Sequence, residues 1–302
     1  MKLLVAITDG SVGGAQTFIY RRYKNFSRDK VIFICTSDGN LTSSLKKLGF
    51  EVYTSNKFFV IIKMIYLVQK KNISLISCNS TLMGLHGRLV AFICNRKALY
   101  ISHGWGYSYQ KSSFKKFSLK ILEQILAKLN YKILCVSEND LKKAQYDLKI
   151  KNKNLQLLRH DKFKEYKIQV PLNSFCIPMR SQWPKRYDLV RAIAIENKFI
   201  DFYCYGLCKE ESMALNLPKN MHAMGIVEYV PYQKHDGVML LSNSEGFPIV
   251  AIEAAENKKI LFISDLPICN ELNKMGIKHR ALNNNNVLDD FKKALFQVNG
   301  NV

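Results

Sequence analysis

The sequence predicts an α/β protein built from two consecutive Rossmann-like, doubly wound domains facing across a cleft. Three observations carry that expectation. Short β-branched runs alternate with longer amphipathic ones from end to end, the pattern of repeated β-α units around parallel sheets. At 302 residues and 48% hydrophobic content, two domains are the natural division and there is apolar material for two cores. A polar, charged stretch, KNKNLQLLRHDKFKEYK, separates one β-α series from the next.

In the first series, strands are expected at LLVAIT, VIFICTS, EVYTS, LISCNS, ALYIS and KILCVS. Helices are expected at AQTFIYRRYKNF, over the Lys-rich 57–70, and at SFKKFSLKILEQILAKLN. The second series opens on SFCIPM and continues with FIDFYCYG, MHAMG, GVMLLS and KILFIS. The boundary falls near 168, giving domains 1–168 and 169–302. The run NNNN at 283–286 reads as an exposed loop. In such domains ligands bind at the carboxyl ends of the strands, so the functional loops are expected there.

Lys and Arg number 45 against 24 acids, for a formal charge of +21, and the pI is about 9.6. This points to an anionic partner: nucleic acid, a membrane surface or a phosphorylated substrate. The eight cysteines are scattered among apolar residues with no Cys-x-x-Cys pair, and Cys204 with Cys208 lacks companion ligands. They read as buried, reduced thiols of a cytoplasmic protein rather than a zinc site or a disulfide framework. MKLLVAITDG reads as a first strand, not a signal peptide. FFVIIKMIYLV, interrupted by Lys63, falls short of the roughly 20 residues that span a bilayer.

Four motifs carry chemistry. In TDGSVGGAQ, Gly13 and Gly14 follow the first strand and permit close approach of a ligand to backbone, although a glycine pair also serves simple turn geometry. Arg180 and Lys185, in PMRSQWPKRYDLV, are two cations where a strand ends. They suit a diphosphate or, blandly, a solvated surface. In SNSEGFPIVAIEAAEN, Pro248 suits the first turn of a helix and Asn257 its left-handed cap. That places Glu245 at the helix entrance and Glu253 on its body, separated by roughly 12 Å of helical rise. Glu245 has the bland alternative of a helix-dipole acid and Glu253 that of a solvated face. The apolar flanks Ile252 and Ala254 argue that Glu253 has a partner.

Taken together and in this order, these residues resemble the retaining GT-B glycosyltransferases of family 4. The acidic pair corresponds to Glu245 and Glu253, the Arg and Lys pair to Arg180 and Lys185, and the glycine loop to Gly13 and Gly14. A histidine after an N-domain strand corresponds to His103 in YISHGWG, the CVSE stretch to Ser137 and Glu138, and the glycine before the base-contacting backbone to Gly225. The resemblance implies that Glu253 accepts hydrogen bonds from ribose hydroxyls and that Glu245 lies by the donor hexose. Arg180 and Lys185 would neutralise the departing diphosphate, with no metal or other cofactor. His103 would contact the transferred sugar, and Ile226 and Val227 would read the base by their backbone. Gly246, Phe247 and Pro248 belong to the donor loop, and Ser137 and Glu138 to the acceptor side of the cleft. Cations and amides placed where charge develops stabilise the transition state more than the ground state.

The activity implied is transfer of a hexose or N-acetylhexosamine from a nucleotide-diphosphate sugar, UDP favoured over GDP. The acceptor is a hydroxyl of a lipid-linked saccharide in bacterial surface-polysaccharide synthesis, O-antigen or capsule. This chain departs from the family at Met179, at Asn257-Lys258 and at LLRHDKF, and it ends at 302 before the usual closing helices.

The helix expected over 114–130 mixes Phe114, Phe117, Ile121 and Ile125 with Lys115, Lys116, Lys120 and Lys128. It reads either as core-facing with a lysine edge or as a dock for anionic lipid headgroups on the inner face of the cytoplasmic membrane. Two rivals stand beside the enzyme: a GT-B binding subunit that has lost catalysis, and a nucleic-acid-binding protein. The latter lacks interleaved basic and aromatic residues on one face.

Overall fold

The computed structural model describes residues 1–129 and 131–300. Asn130, where the third of the expected helices ends, and residues 301 and 302 of the second domain lie outside the described residues. The chain forms two compact units that divide between Arg159 and His160.

The first unit runs β1 (Leu3–Ala6), α1 (Gly14–Tyr23), β2 (Val31–Cys35), α2 (Asn40–Lys47), β3 (Glu51–Thr54), α3 (Val60–Lys70) and β4 (Leu75–Cys78). It continues with α4 (Thr81–Ile93), β5 (Lys97–Ser102), α5 (Ser113–Ala127), β6 (Lys132–Cys135), α6 (Glu138–Tyr146) and β7 (Leu155–Leu157). Its strands form one seven-stranded sheet in the order β3-β2-β1-β4-β5-β6-β7, with parallel pairings throughout. The strands are apolar runs, as in VIFIC of β2, which is buried at every position. Helices on both faces of a parallel sheet require this.

The second unit runs β8 (Ser174–Pro178), α7 (Tyr187–Glu196), β9 (Asp201–Tyr205), α8 (Lys209–Ala214), β10 (Met221–Ala223) and β11 (Gly237–Leu240). It ends with α9 (Ile249–Glu256), β12 (Ile260–Ser264), α10 (Cys269–Lys274), β13 (His279–Leu282) and α11 (Val287–Asn299). The six-stranded sheet is ordered β10-β9-β8-β11-β12-β13, again parallel. Each sheet reverses its strand order once, between β1 and β4 and between β8 and β11. In doubly wound sheets the carboxyl ends at that reversal open the ligand crevice.

Two strands, β7 and β13, were not expected. LQL of β7 is too short to show alternation, yet it pairs with β6 as the edge of the first sheet. The stretch read as a linker is therefore divided. Leu155–Leu157 belongs to the first sheet, while Tyr166 is buried in the second core and Phe163 packs against it. The Tyr166 hydroxyl accepts from the Lys278 amide at 3.0 Å and the Phe163 amide donates to Met275 O at 2.8 Å. These contacts move the boundary from near 168 to 159/160.

Helix α4 approaches the sheet closely because Gly84 has no side chain: a Cβ there would stand 2.7 Å from the Tyr100 ring. The approach buries Arg88, whose Nε donates to Gly84 O at 2.6 Å and whose guanidinium lies 4.2 Å from the Tyr100 ring centroid. Arg88 Nη2 pairs with Glu123 of α5 at 2.9 Å, both side chains being buried. On α5, Glu123, Leu126 and Ala127 are buried, whereas Phe114, Phe117, Ile121 and Ile125 are exposed. A wholly core-facing helix is thus excluded. All eight cysteines are free thiols; Cys94 and Cys208 are half-exposed and the others buried. Among the described residues, no helix is long and apolar enough to cross a membrane.

Candidate functional site

At the β8/β11 reversal, two loops from distant parts of the sequence are knitted together. Lys185 and Ser242 form an antiparallel bridge, the Arg186 amide donates to Leu241 O at 3.0 Å, and the Asn243 amide donates to Pro184 O at 2.9 Å. The Ser242 amide donates to Ser264 Oγ at 2.9 Å, and Asn284 Nδ2 donates to Ser242 O at 3.0 Å. Ser264 Oγ in turn donates to Asn284 Oδ1 at 2.6 Å. Asn284 is therefore a strut of the site, and the run at 283–286 is not simply an exposed loop.

This framework brings Lys185 Nζ to 2.6 Å from Glu245 Oε1, with side-chain exposures of only 22% and 11%. Lys185, expected at the diphosphate, and Glu245, expected by the donor hexose, are thus bonded to each other. A half-buried ammonium and a half-buried carboxylate compensate one another, and the ammonium keeps further donors for a third group. Arg180 is exposed at the end of β8. Glu211 nearby is held below the usual carboxylate range by the Ser181 hydroxyl and the Cys208 amide, with a contribution from the Arg180 charge.

Glu253 has the partner its apolar flanks demand. The hydroxyl of the buried Tyr232 donates to Glu253 Oε2 at 2.5 Å. Pro248 precedes the helix as its N-cap instead of lying in its first turn. The left-handed residue after α9 is Lys258, at φ +57°. Asn257 stays right-handed, because its side-chain Nδ2 donates back to Glu253 O at 2.8 Å.

Phe247, on the loop between Glu245 and α9, stacks on His160 with centroids 3.8 Å apart and planes 12° apart. Gly246 is buried beside it. The exposed Ile226 and the partly buried Val227 follow Gly225, whose carbonyl accepts from the Gly206 amide at 2.8 Å. Gly206 is required there: its φ is +123°, and a Cβ would stand 2.7 Å from Met179 O.

The first unit has its own polar cluster at the β1/β4 reversal. Thr8 Oγ1 and Ser80 Oγ bond at 2.6 Å. Asp9 Oδ1 gathers the Ser11 amide at 2.9 Å and Gln16 Nε2 at 3.0 Å, shaping the loop that leads to Gly13 and Gly14. Gly13 is extended, at φ 171°, and a Cβ on Gly14 would meet open space. Neither glycine answers backbone strain. Ser137 is fully buried, its Oγ accepting from the Asp140 amide at 3.1 Å as the cap of α6, while Glu138 is the first residue of that helix.

His103 Nε2 lies 3.3 Å from Asn79 Oδ1, and the Asn79 amide nitrogen donates to Ser77 O at 3.2 Å. The carbonyl side of Asn79 therefore faces the histidine, so Nε2 carries the proton and Nδ1 is the acceptor. Phe18 packs edge-on against the ring at 4.8 Å. Burial pushes the His103 pKa from 6.5 down to about 4, and the ring is neutral at pH 7. The unfolded chain takes up this proton first as pH falls, so the stability due to the neutral ring is full above about 6.5 and declines toward pH 4. His103→Gln is expected to flatten that part of the pH–stability curve. Imidazole NMR should place the His103 midpoint below 5; a midpoint near 6.5 would contradict the neutral assignment.

Sequence reasoning missed Tyr232, His160 and Asn284. The apolar flanks of Glu253 signalled that a partner exists but not which residue supplies it.

No family model matches the chain. In sequence it is 28% identical over 284 residues to the O-antigen biosynthesis glycosyltransferase WbnH of Escherichia coli, an alignment covering 88% of this chain and 82% of the relative. In structure it resembles Anabaena HepE crystallised with UDP and glucose, at a TM-score of 0.81 and 16% identity over 98% of this chain and 89% of that one. It also resembles the lipopolysaccharide outer core galactosyltransferase WaaB, at a TM-score of 0.64 and 14% identity over 100% of this chain and 91% of that one. The solved structures establish the fold, that of the GT-B enzymes, with two parallel-sheet α/β domains. The likeness in sequence to WbnH and the likeness in fold together support a transferase, a glycosyltransferase of polysaccharide synthesis.

Proposed function

We propose that the chain transfers a hexose or N-acetylhexosamine, with retention, from a UDP-sugar to a hydroxyl of a lipid-linked saccharide in O-antigen or capsule assembly. The mechanism is that of family 4 and uses no metal. The observation that carries the proposal is the Lys185–Glu245 pair at the strand-order reversal of the second unit, followed on α9 by a Glu253 oriented by Tyr232. HepE, which shares the fold, was crystallised with UDP and glucose, which supports a UDP-sugar donor.

In this reaction the bond from the anomeric carbon to the phosphate breaks, and negative charge builds on the departing diphosphate. Lys185 meets that charge with donors that Glu245 leaves unused, Arg180 adds a second cation, and the amides of Gly246 and Phe247 add dipoles. The acceptor hydroxyl attacks from the face the diphosphate leaves, and its proton passes to the phosphate. Glu253, oriented by Tyr232, accepts from the ribose hydroxyls. Backbone at Ile226 and Val227 reads the base. Neutral His103 accepts from a hydroxyl of the transferred sugar. The lipid-linked acceptor places the enzyme at the inner face of the cytoplasmic membrane.

Thermal unfolding with UDP, GDP, CMP and ADP, with and without magnesium, tests donor and metal together. UDP should raise the melting temperature most, whether or not magnesium is present; no shift with any nucleotide would sink the proposal. Glu253→Ala should weaken UDP binding and Glu245→Ala should mainly slow transfer. Tyr232→Phe removes the hydrogen bond that orients Glu253. It is expected to raise KM for the donor by about three- to tenfold with kcat within about twofold. An unchanged KM would show that Tyr232 does not position the carboxylate.

A further inference from the structure

We propose that α3, α4 and α5 together form a docking face for an anionic phospholipid bilayer. The face extends the lipid-side role beyond the helix from which the sequence suggested it, and it rests on the proposed function only for its purpose, bringing the enzyme to a lipid-linked acceptor. Helix α3 packs on α4, and α4 is joined to α5 by the buried Arg88–Glu123 pair. The three helices are therefore neighbours in one layer.

Each exposes large apolar side chains where a water-facing helix would carry charge. Phe58, just before α3, is 90% exposed and Ile62 on α3 is 64% exposed; Phe92 on α4 is 69% exposed; Phe114 and Phe117 on α5 are 78% and 63% exposed. Helix α4, TLMGLHGRLVAFI, carries one charged residue, and that residue is buried.

Charge complementarity identifies the occupant. The three helices contain a single acid, Glu123, which is buried and paired, against Lys63, Lys70, Lys115, Lys116 and Lys120, the last of which also pairs with Asp147 at 3.5 Å. A second copy of the same face would bring lysines against lysines. An anionic bilayer offers headgroups for the lysines and acyl chains for the aromatic rings, the pairing used by interfacial helices.

The test is sedimentation of the full chain with phosphatidylcholine vesicles, with and without phosphatidylglycerol. The wild type should co-sediment with the anionic vesicles and much less with the neutral ones, and added salt should weaken the binding. Phe114→Ser/Phe117→Ser and, separately, Lys115→Glu/Lys116→Glu should each lower the partition coefficient at least about tenfold. Phe92→Ser should lower it too, which α5 acting alone does not predict. Wild type left in the supernatant, or variants that bind like wild type, would overturn the proposal. So would a dimer in analytical ultracentrifugation that the Phe variants abolish, since the occupant would then be a second copy. The UDP-induced thermal shift, measured on the same variants, keeps the two proposals apart. Lost vesicle binding with an intact shift in every variant matches the docking face. Vesicle binding without any UDP shift would remove the donor assignment and leave the docking face standing.

Discussion

Replacing Lys185 with Ala is expected to lower kcat by about 10²–10³-fold, the usual loss when one preorganised group is removed from developing transition-state charge. Two effects act in the same direction. The diphosphate loses its ammonium, and Glu245, 11% exposed and 2.6 Å from Lys185 Nζ, loses its ion-pair partner. Lys185→Arg keeps the charge but replaces a compact ammonium with a broad planar group, so recovery should be partial. Lys185→Ala/Glu245→Gln removes both charges and separates the effects. It should recover the melting temperature but not the rate. Single-turnover transfer and thermal unfolding measure the two, and a Lys185→Ala enzyme of normal rate would remove Lys185 from the chemistry.

The largest expected effect on stability lies away from the proposed donor site, at Arg88 and Glu123. Burial raises the Glu123 pKa, and the neighbouring Arg88 guanidinium opposes the rise. Arg88 Nη1 and Glu123 Oε1 are both buried with no hydrogen-bond partner among the described residues. Such a half-satisfied pair is costly to break and contributes little net stability when intact. Arg88→Met, which strands the acid, should cost about 3–5 kcal/mol and lower the melting temperature of the first unit by roughly 10 °C. Arg88→Met/Glu123→Leu should restore most of that loss. The sign of the pH effect separates the cases. A carboxyl whose folded-state pKa is raised contributes stability below its unfolded pKa, and that contribution is lost as pH rises through the folded value. Arg88→Met removes the opposing cation and raises the folded value further. Its deficit should therefore shrink as pH falls toward 4, whereas the double variant should show no such trend. A deficit that grows on acidification would contradict the assignment.

Hydrophobic pattern alone located most of the strands, because strands covered on both faces must be continuous apolar runs such as VIFIC and ILFIS. It failed at β7 and β13, where LQL and HRAL are edge strands. Neither carries such a run: LQL is interrupted by Gln156, and HRAL opens on His279 and Arg280. The same logic explains the displaced boundary: Phe163 and Tyr166 are anchors set in a charged stretch, and composition averages them away. Pro248 and Asn257 were read by their commonest roles at helix ends. Local hydrogen bonds assigned them others.

The sequence by itself determined the fold class, the order of the motifs and the identity of the charged groups, since periodicity and residue type are properties of a short window. Only the tertiary structure decided the pairings. Lys185 meets Glu245 across 60 residues and Tyr232 meets Glu253 across 21. Both contacts depend on which strand of the second sheet lies beside which, and strand order follows from how the whole sheet buries its two faces.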